Sequence, residues 1–330
     1  MKNLTLNVIK AIASFLVLFI HCRFPGEFGK IIVDIARIAV PIFLLVSGFF
    51  SYNNDETKLK RKIKHILWLM LIANIVYCAW KIIFQLGDLE STIYFAKTLL
   101  EPATILKFVI FNDNPFRTHL WYLNAILYCY VIMYLYVKFI KAKLKKDISK
   151  FLIAVSIALL GIYITISIVY FQEYLEKLFL LRNFIFVGVP FFFIGNLMNK
   201  FNLKDKLSNK SIYLIMIISF VLLILETRFY TSELYVFTII LALTIFLFGI
   251  KNPYALINKS LEKIGAKYSL YIYIYHPIIK DVITKVYTLM GISSKAFLFM
   301  QPIIILILSL IVSKLISKII SLIPRKKTIA

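Results

Sequence analysis

Three cysteines, Cys22, Cys78 and Cys129, are all that 330 residues hold, and each falls in an apolar stretch. With no C-x-x-C pair and no metal-ligand spacing, neither a disulfide framework nor a zinc site is indicated. Acidic side chains are scarce as well, 16 against 39 lysines and arginines. Glycine (10) and proline (9) are sparse, and no linker, internal repeat or low-complexity segment divides the chain. No small-x-small cleavage site follows the first apolar run, and Cys22 is preceded by His21 instead of a small residue. Residues 4–22 are therefore expected to be a retained helix, neither a signal peptide nor a lipoprotein leader.

Apolar residues are abundant: 61% of the chain is hydrophobic, with a mean hydropathy of +0.86. A soluble domain would be close to half apolar, so the composition is that of a membrane protein. Phenylalanine (29) and tyrosine (20) suit helices anchored at the lipid–water boundary. A formal net charge of +23 would suggest nucleic acid, but the apolar content argues against it. The Ile, Lys and Phe bias resembles that of an AT-rich bacterial genome, and with the apolar content the expected location is a bacterial cytoplasmic membrane, as a multi-pass protein.

A span needs about 20 mostly apolar residues. Ten stretches qualify, near 4–22, 31–51, 66–84, 120–138, 151–171, 178–198, 212–226, 234–250, 268–288 and 298–322, with 85–119 an external loop holding a short amphipathic piece. The expected fold is thus all-α, one polytopic domain over 1–330 with about ten transmembrane helices and no attached soluble domain. With both ends cytoplasmic, the inner segments collect Lys2, the Lys58–Lys64 cluster, six lysines over 138–150, four over 200–210, four over 251–267 and five basic residues over 314–327. Their acids are only Asp55, Glu56, Asp147, Asp205 and Glu262, whereas the outer loops carry both signs about equally. This is the positive-inside pattern, and it predicts an N-in, C-in topology.

Topology leaves Lys10, Asp34, Arg37 and Lys81 inside spans. Lys81 sits near the outer end of its helix beside Trp80 and can snorkel. Ionisable groups at membrane depth face a partner or a wet cavity. Asp34 and Arg37, three residues apart, can neutralise one another. Lys10 and His21 are eleven residues apart, which is three helical turns plus roughly 20°, so both lie on one stripe about 16 Å apart along the axis. That stripe can line a path across the membrane; the alternative is that His21 anchors the helix at the interface. His119 opens "HLWYLNAIL", His276 sits in "SLYIYIYHPII" before Pro277, and His65 reads as an interfacial residue.

Together these segments resemble the acyltransferase family 3 membrane proteins. The resemblance rests on Lys10-x10-His21, "RIAVPIFLLVSGFF" at 37–50, the R-x-x-basic element Arg61 and Lys64, "HLWYL" at 119–123, "RNFIFVGVPFFFIG" at 182–195 and "YIYIYHP" at 271–277. Lysine stands at 10 and 64 where the family favours arginine; it keeps the charge but not the bidentate fork. The resemblance implies transfer of an acyl group, usually acetyl, from cytoplasmic acyl-CoA to an extracytoplasmic glycan or other cell-envelope acceptor. It implies His21 as catalytic base and Arg37 as oxyanion stabiliser. Lys10, Arg61 and Lys64 would bind the acyl-CoA phosphates, and His119, Arg182, His276 and Asp34 would serve the acceptor side or a supporting role. An imidazole can take a hydroxyl proton and later protonate a leaving thiolate near neutral pH. The donor acyl-CoA and the bilayer are the implied partners, with no metal, bound cofactor or nucleic acid. "HLWYL", "RNF" and "SLYIYIYHP" are also similar to the membrane half of vancomycin-resistance serine racemases, which implies handling of an amino acid. The alternative expectation is accordingly a transporter of serine, a sugar or a lipid-linked sugar, without acyl chemistry; no internal repeat of the transporter kind is visible.

Overall fold

A computed structural model describes residues 3–84, 88–141, 147–169, 179–291 and 294–322. Lys2, Lys143, Lys145, Lys146 and residues 323–330, counted above among inner charges, lie outside the described residues, as do the facing ends of the 151–171 and 178–198 stretches. The chain forms α1 (Leu4–His21), α2 (Gly26–Ala36), α3 (Ala39–Phe49), α4 (Glu56–Phe84), α5 (Leu89–Leu100), α6 (Pro102–Phe111) and α7 (Trp121–Leu135). There follow α8 (Ser149–Val169), α9 (Val189–Lys200), α10 (Asn209–Glu226), α11 (Val236–Lys251), α12 (Lys259–Lys267), α13 (Ser269–Leu289) and α14 (Lys295–Leu322). Turns of π-helix continue α7 over Tyr136–Lys141 and lead into α9 over Phe184–Gly188.

Each of the ten expected stretches is helical over most of its described residues, and the protein is an all-α polytopic membrane protein. Among the described residues, seven helices, taking α2 with α3 as one, are long and apolar enough to cross a membrane. Phe184–Lys200 and Val236–Lys251 are apolar but shorter, and α13 carries Lys280, Asp281 and Lys285. Large apolar side chains such as Phe151, Ile157 and Ile217 lie exposed on the helices, the inverse of a soluble surface.

Two expectations need correction. The 31–51 stretch is not one helix: it starts earlier, at Gly26, and breaks at Arg37–Ile38. Pro41 has no N–H for the Arg37 carbonyl four residues back, and it sits in the first turn of α3, where that N–H is not needed. Arg37 N and Ile38 N bond three residues back instead, to Asp34 O (3.4 Å) and Ile35 O (3.3 Å). The 251–267 segment, expected as an inner loop, contains α12, whose first turn is capped by Asn258 Oδ1 accepting from Leu261 N at 2.9 Å.

The chain forms two compact units. The first comprises Met1–Val40, Ser208–Leu225 and Phe237–Ala330. Here α1 is central and packs against α2, α12, α13 and α14. Its first turn is fully provided for: Asn3 Oδ1 accepts from Leu6 N, and the Pro253 carbonyl accepts from Leu4 N and Thr5 N at 2.9 and 3.1 Å. Gly265 lets α12 lie backbone to backbone on α1, since a Cβ there would come within 1.7 Å of Asn7 O. Leu18, Cys22, Ile272, Ile279 and Ile305 form a core where α1, α13 and α14 meet.

The second unit comprises Pro41–Leu207 and Glu226–Val236. Its seam is α3 against α9. A Cβ on Gly48 would sit 1.8 Å from Phe192 O, and one on Gly195 2.2 Å from Leu45 O. Asn196 and Asn199 donate from Nδ2 to the carbonyls of Gly48 (3.3 Å) and Phe49 (2.9 Å). Close backbones and amide hydrogen bonds of this kind hold helices together in lipid, where no hydrophobic driving force brings apolar side chains together.

Candidate active site

In the first unit, the C-terminal end of α1 opens on a cleft of about 460 Å³ lined by His21, Cys22, Arg23, Lys280, Gln301 and Ile305. The last carbonyls of α1 are met by cations: Lys280 Nζ donates to His21 O at 2.7 Å and Arg23 Nε to Ile20 O at 3.3 Å. Positive charge at this end also suits the helix dipole. The backbone of His21 is therefore held while its ring, only half-buried, faces the cleft.

Behind it lies His276, fully buried, its ring centroid 5.2 Å from that of His21 and tilted by 36°. His276 Nδ1 is 3.0 Å from the Ile272 carbonyl. A carbonyl only accepts, so Nδ1 carries a proton, and in the neutral ring Nε2 presents a lone pair. Pro277 withholds the N–H that Tyr273 O would take in an unbroken helix. One turn of α13 thus supplies His276, Pro277 and Lys280 to the same place.

The first unit also holds Lys10, Asp34 and Arg37. Lys10 is half-buried on α1, on the stripe that carries His21, and has no ion pair among the described residues. Asp34 is buried, with Oδ1 at 3.7 Å from Arg37 Nε at the helix break. The second unit holds the remaining candidates. Arg61 and Lys64 are exposed on the first turns of α4. His119 is buried in a 3-10 turn, its ring edge-on to Tyr77 at 5.2 Å. Arg182 pairs with Glu233 at 3.4 Å, both partly exposed.

Two lysines escaped the sequence reading. Lys280 lies inside the 268–288 stretch, four residues after His276 and hence on the same helical face; that i, i+4 spacing is the signal that identifies it. Lys62, read above as a topological charge, turns inward. Its Nζ donates to Phe50 O at 2.8 Å and Ser51 Oγ at 3.0 Å and lies over the Tyr130 ring. Its spacing from buried Leu59 places it on the inner face of α4. Among the described residues, no three His, Cys, Asp or Glu side chains gather as metal ligands.

The arrangement can perform base chemistry: an accessible imidazole on a fixed backbone, backed by a second imidazole, in an electropositive cleft. A family model described as an acyltransferase domain matches residues 3–321, nearly the whole chain. No curated protein and no solved structure matches it.

Proposed function

Since the chain belongs to the acyltransferase family over residues 3–321, we propose that it moves an acetyl group from cytoplasmic acetyl-CoA to a hydroxyl of an extracytoplasmic envelope glycan. The observation that carries the site assignment is the setting of His21, with its carbonyl tied to Lys280 and its ring exposed to the cleft. His21 removes the acceptor hydroxyl proton, and the oxygen attacks the thioester carbonyl. Arg37 steadies the oxyanion while the carbon–sulfur bond breaks, and the imidazolium returns its proton to the leaving thiolate. Lys10 stands on the donor side of the same stripe, and Arg61 and Lys64 offer exposed cations to the CoA phosphates. The protein works in a bacterial cytoplasmic membrane with both ends inside.

The test uses purified protein and radiolabelled acetyl-CoA, comparing wild type with His21→Ala and Arg61→Ala. Thioester turnover that vanishes in the His21 variant is the expected result. A wild type that neither binds nor consumes acetyl-CoA overturns the reading, and uptake of serine and sugars into proteoliposomes is then the measurement to make.

A further inference from the structure

The second unit contains a further pocket, of about 290 Å³, whose lining includes none of the site residues described above. It lies between the far end of α4, α5, α6 and the loop before His119, with Lys81, Tyr94, Phe95, Lys107, Asp113 and Asn114 among its walls. Its volume falls near the lower end of ligand pockets, ~300–1,000 Å³. We infer that this pocket binds an anionic stretch of the acceptor, a glycan carrying carboxylate or phosphate groups. Calling the ligand an acceptor rests on the acyl-transfer reading; its chemistry is read from the pocket.

The walls are built, not incidental. Asn112 takes the left-handed conformation (φ 63°) and its Oδ1 accepts from Phe184 N at 2.8 Å. Asn114 is buried, with Nδ2 donating to Asn74 Oδ1 at 2.9 Å and Oδ1 accepting from Phe116 N and Arg117 N. The loop is fixed at both ends before any ligand arrives.

Charge decides the sign of the ligand. Lys81 Nζ lies 3.8 Å from the Phe95 ring centroid, and Lys107 Nζ 5.1 Å from that of Phe179. Neither lysine has an ion pair among the described residues, and Arg117 adds a further positive charge close to Lys81. Ring faces hold the ammonium groups in place without neutralising them. Asp113 is the one acid among these wall residues, and two lysines in the same lining outweigh it.

Shape and polarity decide the class. Tyr94, 72% exposed, offers a flat apolar face of the kind a sugar ring stacks on. Thr98, Thr104 and Thr118 add hydroxyls along the wall, and Asp113 can accept from sugar hydroxyls. A bare phosphate would leave the aromatic face unused, and a neutral sugar would leave the lysines without countercharge. An anionic glycan satisfies both.

The experiment uses the full chain in phosphatidylcholine nanodiscs, without acyl-CoA, titrated with three labelled oligomers: galacturonate, glycerol phosphate and glucose. One anionic oligomer is expected to bind at least roughly tenfold more tightly than the glucose oligomer, the equivalent of one charge-assisted hydrogen bond. Which of the two binds identifies carboxylate or phosphate. The double variant Lys81→Gln/Lys107→Gln should lose that preference, Lys81→Arg should retain it, and Lys97→Gln, on an exposed face of α5, should leave it unchanged. Equal binding of the glucose oligomer, or full anionic binding by the double variant, overturns the inference. So does displacement of the oligomer when phosphatidylglycerol is added to the discs, which marks a lipid-headgroup site instead. Acetyl-CoA turnover in the same preparation separates the two readings. Selective anionic binding without turnover leaves the pocket assignment standing and removes the acyl-transfer reading. Turnover with no anionic preference does the reverse.

Discussion

Lys280 donates to the main-chain carbonyl of His21 at 2.7 Å, while His276, one turn earlier on α13, holds its ring 5.2 Å from the His21 ring. One helix therefore grips both the backbone and the imidazole of the residue at the mouth of the cleft. Lys280 acts through His21 and is a positioning residue.

If so, Lys280→Met should lower kcat for acetyl-CoA turnover by roughly tenfold to a hundredfold, the cost of a base displaced by about an ångström. The KM for acetyl-CoA should stay close to wild type, and Lys280→Arg should recover most of the rate. An arginine variant as slow as the methionine one would mean that the lysine merely fills space.

Arg61 and Lys64 face outward on α4, so their role is tested through binding. Arg61→Ala and Lys64→Ala should each raise the KM for acetyl-CoA several-fold with little change in kcat, and added salt should shrink the difference because the contact is exposed. Their unfolding free energies should stay within about 0.5 kcal/mol of wild type. A fall in kcat with unchanged KM would oppose a donor-binding role.

Gly265→Ala brings a methyl group to 1.7 Å from Asn7 O, which α12 can relieve only by moving off α1. Thermal unfolding in detergent should show a loss of about 1–3 kcal/mol. Gly161→Ala on α8, where nothing lies within 4 Å, should be neutral or gain up to about 1 kcal/mol. Equal behaviour of the two variants would contradict the close approach of α1 and α12.

Lys200, the last residue of α9, brings its Nζ to 2.6 Å from Oδ1 of Asp147 just before α8, and Ser149 donates to the same oxygen. These bonds hold the Asp147 carboxyl well below the usual carboxylate range. A carboxyl lowered in the folded chain stabilises it above its ordinary pKa, about 3.9, and loses that contribution as pH falls through the folded value. Asp147 is largely exposed, so the effect is small. The unfolding temperature of Asp147→Asn should sit slightly below wild type at pH 7, with the gap closing below about pH 4. A gap that widens in acid would contradict the sign.

The helices were legible because about 20 apolar residues in lipid have only one way to satisfy their backbone. Lys10 and His21 were legible because charge is conspicuous in such a run. What escaped depends on neighbours. Pro41 was visible, but whether it ends a helix or sits in the first turn of the next depends on the whole fold. α12 is too polar to be read as a span, and Gly265 has no use until α1 lies against it. Lys62 was indistinguishable in sequence from Lys58 and Lys60, because all three satisfy the positive-inside pattern and only packing turns one of them inward. Lys280 was masked by the apolar stretch that contains it.

The α3–α9 seam bears on how such a chain can change over generations. Side chains facing lipid are interchangeable so long as they stay apolar, so most of the isoleucine, leucine and phenylalanine can drift with little consequence. Gly48 and Gly195 cannot, because each fills the space of a side chain with another helix's backbone. Heritable constraint should therefore concentrate in a few of the smallest residues, and two chains of this architecture can diverge almost everywhere else while still closing on the same seam.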